Sequence, residues 1–275
     1  MFPNFPSNSF IADLDPLIIT SPTHRSGTTL LQRLVCSSHS ALIYGEQCAN
    51  DLEFFLNLYV FKVQEYTYQK QRFTQVQDAV LDGKVNDWIL DLMPNVDGYL
   101  SALAHSAFAG ITFCREEALR YQRPVWGFKY PGWRPAFINL LRSILPKARV
   151  IFIQRDLEDC VKSAKAQNML PSPQETRDFV QCWSEGVSYI ASLANDPSVL
   201  SLKYEELVSA PAATLERLSE FTHLADIDAT ILSHKVNTWK GDEYVMQKPD
   251  GYQEPAELNE AEQQIVRETL AARGA

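Results

Sequence analysis

The sequence has no apolar run long enough to span a bilayer. Its opening, Met1-Phe2-Pro3-Asn4-Phe5-Pro6, has neither the basic start nor the apolar stretch of a secretory signal. A cytoplasmic location with no membrane partner is therefore expected. Cysteine is scarce: the five residues are an odd number with no C-x-x-C pair, which argues against a disulfide scaffold and a structural metal site. Cys36, Cys160 and Cys182 fall in apolar helical patterns and read as small core residues. Basic residues are in deficit, 25 against 34 acidic for a net charge of -9, which excludes nucleic acid as the main partner. That acidity aids solubility and is compatible with a cationic acceptor. There is no internal repeat and no low-complexity tract. With 45% hydrophobic residues over 275 positions, the chain can bury the core of one large domain.

What the sequence does have is concentrated at Leu17-Ile18-Ile19-Thr20-Ser21-Pro22-Thr23-His24-Arg25-Ser26-Gly27-Thr28-Thr29-Leu30-Leu31. The first four residues form an apolar, β-branched run that predicts a buried strand. From Thr28 onward Leu30, Leu31, Leu34 and Val35 recur at helical spacing. A strand, a tight small-residue loop and a helix N-terminus make an anion site, because the first helical N–H groups lack intrahelical partners and carry the positive end of the macrodipole. Gly27 permits close backbone approach, Thr28 and Thr29 add hydroxyls, and Arg25 adds a planar cationic fork. The Walker A pattern G-x-x-x-x-G-K-[ST] is not met, since Thr28 stands where the lysine belongs. The loop suits phosphate or sulfate rather than a magnesium-bound nucleoside triphosphate.

Further strands are expected at residues 40–44, 125–128, 150–153 and 199–202, alternating with helices. The fold class is thus α/β, a three-layer α/β/α sandwich with a mostly parallel central sheet. Residues 1–275 read as a single domain with a mainly helical insertion at about 50–123 and a C-terminal loop and helix at about 235–275. Ligands of such sheets bind beyond the carboxyl ends of the strands. Glu46 stands at one such end, in the crevice of Arg25 if the two strands are neighbours, and reads as a general base or a helix-capping carboxylate. Lys129 stands at another, as a charge-neutralising ammonium or a surface lysine. Arg155 follows the strand at 150–153, Asp156 can cap the next helix, and Ser163 lies eight residues past Arg155, so that guanidinium and hydroxyl could grip a second phosphate. Tyr66, Tyr68, Phe73 and Trp88 are candidate pocket aromatics, with plain core packing the alternative.

Together these stretches resemble the sulfotransferase superfamily, whose donor is 3′-phosphoadenosine 5′-phosphosulfate (PAPS) and whose fold is P-loop-like. Arg25-Ser26-Gly27-Thr28-Thr29-Leu30 resembles the 5′-phosphosulfate loop, the Arg155–Ser163 step the 3′-phosphate motif, and Lys203-Tyr204-Glu205-Glu206-Leu207-Val208 with Pro211 the "YEDL…P" segment. The resemblance implies that Arg25, Ser26, Gly27, Thr28 and Thr29 hold the 5′ phosphosulfate, that Arg155 and Ser163 hold the 3′ phosphate, and that Tyr204 lies near the donor. Arg25 stands where the cytosolic branch has lysine, and Pro131 stands where that branch has its catalytic histidine. Arg25 and the Gly45-Glu46 pair are more similar to the tyrosylprotein-type and bacterial branch, with glutamate as base.

The implied reaction is transfer of a sulfuryl group from PAPS to a hydroxyl or amine of a small-molecule acceptor, such as a bacterial metabolite or natural product, without a metal. Glu46, Lys129 and Arg25 are the implied catalytic residues, with His24 and His105 as reserve bases. Lys240 and Lys248 are possible donor contacts, and a homodimer is possible. The competing readings are sulfation of a protein tyrosine or glycan, a P-loop nucleotide kinase, and a non-catalytic nucleotide-binding protein.

Overall fold

The computed structural model describes residues 9–84, 92–234 and 254–274. In chain order the elements are α1 (Ser9–Ala12), β1 (Leu17–Thr20), α2 (Thr28–Ser37), β2 (Ala41–Tyr44), α3 (Glu46–Leu81), α4 (Val96–Arg120), β3 (Val125–Lys129), α5 (Pro135–Ile144), β4 (Arg149–Gln154), α6 (Leu157–Ala166), α7 (Pro173–Ser192), β5 (Val199–Lys203), α8 (Tyr204–Ser209), α9 (Pro211–Thr222) and α10 (Glu260–Gly274). A 3₁₀ turn at Ala229–Ser233 follows α9.

The strands form one five-stranded sheet in the order β2-β3-β1-β4-β5. All four ladders are parallel. Successive residues of the central strands serve opposite faces, as a period of two demands. Ile18, Val150 and Phe152 pack with α3, α4 and α5 on one side. Leu17, Ile19, Ile151 and Ile153 pack with α2, α8 and α9 on the other. Both faces are covered, so the strands read as continuous apolar runs, and the result is the expected three-layer α/β sandwich. A satellite cluster joins α6, α7 and α10 through Leu157, Val161, Val180, Trp183, Ile265 and Val266.

Two features of the fold are absent from the sequence reading. β1 and β2 are not neighbours, because β3 lies between them. Lys129, at the end of β3, stands between Glu46 and Thr29 of the loop that follows β1. The polar stretch after residue 63 also does not end its helix, and α3 runs on through 36 residues. Phe73 and Ala79 stay buried along it, so a narrow apolar stripe carries the helix through an otherwise solvated segment. The stop comes at Gly83, in the left-handed region at φ 77, where Lys84 N–H donates to Ala79 O and Gly83 N–H to Val80 O. Of the candidate pocket aromatics, Phe73 is core, Tyr66 packs edge-on against it and Tyr68 is exposed. Trp88, Lys240, Lys248 and residues 235–253 of the expected C-terminal loop lie outside the described residues.

Candidate active site

The carboxyl ends of β1 and β4 diverge into the two anion motifs. β1 continues to β2 on one side of the sheet, and the chain reaches β4 on the other, so this is the topological switch point of the sheet. After Thr20 the loop ties itself together: Ser21 Oγ donates to Thr23 O at 2.7 Å and Ser26 Oγ to the same carbonyl at 2.9 Å. The Ser26 hydroxyl is thus directed into the loop, fully buried beside Cys160 Sγ. Arg25 and Gly27 both adopt positive φ, 69° and 98°. Alternation of this kind curves the backbone into an anion-binding concavity. Gly27 caps α2, and the first intrahelical bond runs from Leu31 N–H to Gly27 O, leaving the amides of Thr28, Thr29 and Leu30 as helix-terminal donors. A side chain at position 27 has no room: its Cβ would stand 2.4 Å from Tyr204 Cδ2 and 3.3 Å from Ile153 Cδ1. Tyr204 therefore packs on the bare glycine.

Arg155 follows β4 directly. Its Nη1 donates to Arg25 O at 3.3 Å, its Nη2 meets Asp159 at 3.4 Å, and its guanidinium lies 4.6 Å over the Tyr204 ring. Its Nε is buried without a hydrogen-bond partner. Trp183 Nε1 donates to Arg155 O at 3.0 Å and fixes the strand exit. Asp156 caps α6 as expected, accepting from Asp159 N–H at 3.1 Å. The eight residues from Arg155 place Ser163 two turns into α6. There its hydroxyl accepts from Arg25 Nε at 3.1 Å. The two motifs, 138 residues apart in the chain, form one cradle.

A third group stands at the ends of β3 and β2. Lys129, almost wholly buried, reaches Glu46 Oε1 at 2.5 Å and Thr29 Oγ1 at 3.4 Å. Glu46 opens α3, and its side chain is 43% exposed against 5% for Lys129, so the carboxylate faces the cleft while the ammonium stays beneath it. Arg25 is held by Ser163, whereas Lys129 and Glu46 hold each other. His24 also sits at this cluster. Burial depresses its pKa below the ordinary histidine value, aided by the charges of Lys129 and Arg25 and opposed by Glu46. His105 is elsewhere, on α4, with its Nδ1 2.6 Å from Ser101 O.

The sequence reading missed the wall beside this pair. Tyr130 meets the His24 ring edge-on at 5.9 Å and stacks on Trp133 at 5.5 Å. Its hydroxyl pKa is raised by burial and then by the charges of Glu53 and Glu46. Burial likewise raises the Glu53 carboxyl, with the Trp133 indole acting in the opposite direction. Glu53 lies seven residues after Glu46 on α3, hence on the same helical face. That spacing was the available signal, and it is visible only once α3 is known to begin at Glu46. Among the described residues no cluster of three or more metal-type ligands occurs, and no helix is long and apolar enough to cross a membrane.

A model described as "Sulfotransferase family" matches residues 16–228. The chain is 22% identical over 227 residues to Protein-tyrosine sulfotransferase A of Caenorhabditis elegans, a match covering 80% of this chain and 53% of that protein. It therefore spans about half the length of that curated relative. Among solved structures it is similar to a sulfotransferase domain from the curacin biosynthetic pathway, with a TM-score of 0.50, 16% identity and coverage of 93% and 97% of the two chains. It also aligns with the sulfotransferase domain of an olefin synthase from Synechococcus PCC 7002, with a TM-score of 0.49, 18% identity and 98% of each chain covered.

Proposed function

As the chain belongs to the sulfotransferase family, we propose that it is an enzyme that moves a sulfuryl group from PAPS to a hydroxyl or amine of a small-molecule acceptor. The observation that carries the donor assignment is the 3.1 Å hydrogen bond from Arg25 Nε to Ser163 Oγ, which supports reading the β1 loop and α6 as a single site for two anionic groups. The residues fit such a donor. Gly27 leaves a cradle that a Cβ would fill, the α2 amides are helix-terminal donors, and Arg155 keeps a buried Nε without a partner. A kinase reading would need a lysine where Thr28 stands.

The donor supplies an electrophilic sulfuryl group on a phosphate leaving group. The amides of Gly27, Thr28 and Thr29 and the threonine hydroxyls hold its 5′ end, where the positive end of α2 adds partial charge. Ser26 contributes through its amide, its hydroxyl being bonded to Thr23 O. Arg155 and Ser163 hold the 3′ phosphate, and Arg25 spans the two. Lys129 neutralises charge that grows on the leaving group. Glu46 removes the acceptor's proton. Because Lys129 faces both Thr29 and Glu46, one ammonium links the donor loop to the base. No metal is needed in this scheme, since Arg25, Lys129 and Arg155 supply the positive charge.

The acceptor enters beside Glu46, Glu53, His24 and Tyr130. Two carboxylates on one face of α3 favour a neutral or cationic acceptor over a polyanionic one. The experiment is a thermal-shift titration with adenosine 3′,5′-bisphosphate against ATP with magnesium, followed by bisphosphate release from PAPS with amines, phenols and tyrosine peptides as acceptors. At a hundred times its dissociation constant the bisphosphate stabilises the fold by about 2.7 kcal/mol. A shift with ATP and magnesium alone refutes the donor, and turnover with tyrosine peptides alone refutes the small-molecule acceptor.

A further inference from the structure

Five cysteines are present, and their surroundings differ. Cys160 is sealed under the donor loop, Cys36 accepts from Ile43 N–H at 3.3 Å, and Cys182 is half-buried on α7. Cys48 and Cys114 instead face each other, sulfur to sulfur at 3.4 Å, although 66 residues separate them in sequence. Cys48 lies in the first turn of α3, two residues beyond Glu46, and is half-buried. Cys114 lies buried on α4, where Tyr44 Oη donates to its backbone carbonyl at 2.8 Å. We propose that Cys48 and Cys114 are an oxidative modification site, a dithiol that a peroxide converts to a disulfide binding α3 to α4 beside Glu46.

The roles of the two sulfurs follow from their environment. The hydrogen bond between the two sulfurs, in which either can donate, lowers the Cys48 pKa, while the same contact and burial raise that of Cys114. The N-terminal turn of α3 also favours a thiolate at Cys48. Cys48 thiolate attacks one peroxide oxygen, the O–O bond breaks, and hydroxide leaves to become water. The Cys114 sulfur then attacks the resulting Cys48 sulfenic acid, the S–O bond breaks, and a second water departs with the Cys114 proton. Two thiols are oxidised by two electrons, and one peroxide is reduced to two waters.

Closing this contact from 3.4 Å to the about 2.05 Å of a disulfide pulls the first turn of α3 toward α4. Glu46 belongs to that turn, and its 2.5 Å contact with Lys129 is displaced with it. This consequence rests on Glu46 being the base. A misplacement of about 1 Å at a reacting group costs up to about 100-fold, so the oxidised form should turn over about 10–100-fold more slowly and regain its rate in dithiothreitol.

The test treats the full chain with graded hydrogen peroxide, then reads a non-reducing digest by mass spectrometry and bisphosphate release from PAPS. The expected result is a Cys48–Cys114 linked peptide, formed at lower peroxide than any product of Cys36, Cys160 or Cys182. Cys48→Ser and Cys114→Ala should each abolish the link and make turnover insensitive to peroxide, with the reduced rate within about twofold of wild type. Sulfinic or sulfonic acid at Cys48 without the link overturns the proposal. A link with unchanged turnover overturns its effect on Glu46. The linked peptide is read without any turnover, so failure of the sulfotransferase reading and failure of this one are separable.

Discussion

Replacing Gly27 by alanine tests the packing of the donor site more sharply than any change of charge. The residue sits at φ 98, where an L side chain is strained, at a cost of about 1–2 kcal/mol. The new Cβ would lie 2.4 Å from Tyr204 Cδ2, so the Tyr204 ring must move. Movement also breaks the stacking of Arg155 at 4.6 Å on that ring, worth about 0.5–1 kcal/mol at a partly exposed site. The sum is about 1.5–3 kcal/mol, and for a chain of this size each kcal/mol lowers the melting temperature by about 2–4 °C. Gly27→Ala should therefore melt about 3–12 °C below wild type and lose the stabilisation by adenosine 3′,5′-bisphosphate. In the Gly27→Ala/Tyr204→Ala double variant the clash is gone and only the backbone strain remains. The two changes should then cost about 0.5–1 kcal/mol less together than the sum of the singles, because the Arg155 stacking is lost once rather than twice. Calorimetry of the four proteins measures this coupling. Strict additivity would refute the argument that Tyr204 is what forbids a side chain at position 27.

Three further outcomes are expected. Glu46→Gln should lower kcat by about 10²–10⁴ while the bisphosphate thermal shift is retained; a near-wild-type kcat removes Glu46 as the base. Ser163→Ala should weaken adenosine 3′,5′-bisphosphate by about 10–100-fold, the value of a charge-assisted hydrogen bond, and leave adenosine 5′-phosphate almost unaffected; calorimetric titration of both ligands checks this. His24 has a folded-state pKa below its unfolded value of 6.5. Above pH 6.5 both states are neutral there, and as pH falls through this window the unfolded state takes up the proton first, so stability is lost. Urea midpoints between pH 7.5 and 5 should fall more steeply for wild type than for His24→Gln, and parallel curves would refute the burial of a neutral imidazole.

The strand, loop and helix terminus from Leu17 to Leu31 were legible in the sequence because their chemistry is local. An apolar β-branched run from Leu17, small residues to Gly27 and a helical apolar period from Thr28 dictate a strand, a turn and a helix terminus without reference to the rest of the chain. The same holds for β3, β4 and β5, for the Asp156 cap, and for the eight-residue step that carries Ser163 from Arg155. Strand order is not local. Nothing in residues 17–44 says that β3 enters between β1 and β2, because sheet order is decided by which crossovers bury the most apolar surface. That insertion sets Lys129 between Thr29 and Glu46. The length of α3 was hidden for a related reason: its polar stretch has no strong period of its own, and burial of Phe73 and Ala79 against neighbours carries it. Glu53, Tyr130 and Trp133 became visible as a wall only when α3 was laid beside the end of β3. Sequence alone determined which groups could bind anions, since helix termini and side-chain chemistry are written in short spacings. Tertiary structure decided which groups meet, since that depends on pairing between segments about a hundred residues apart.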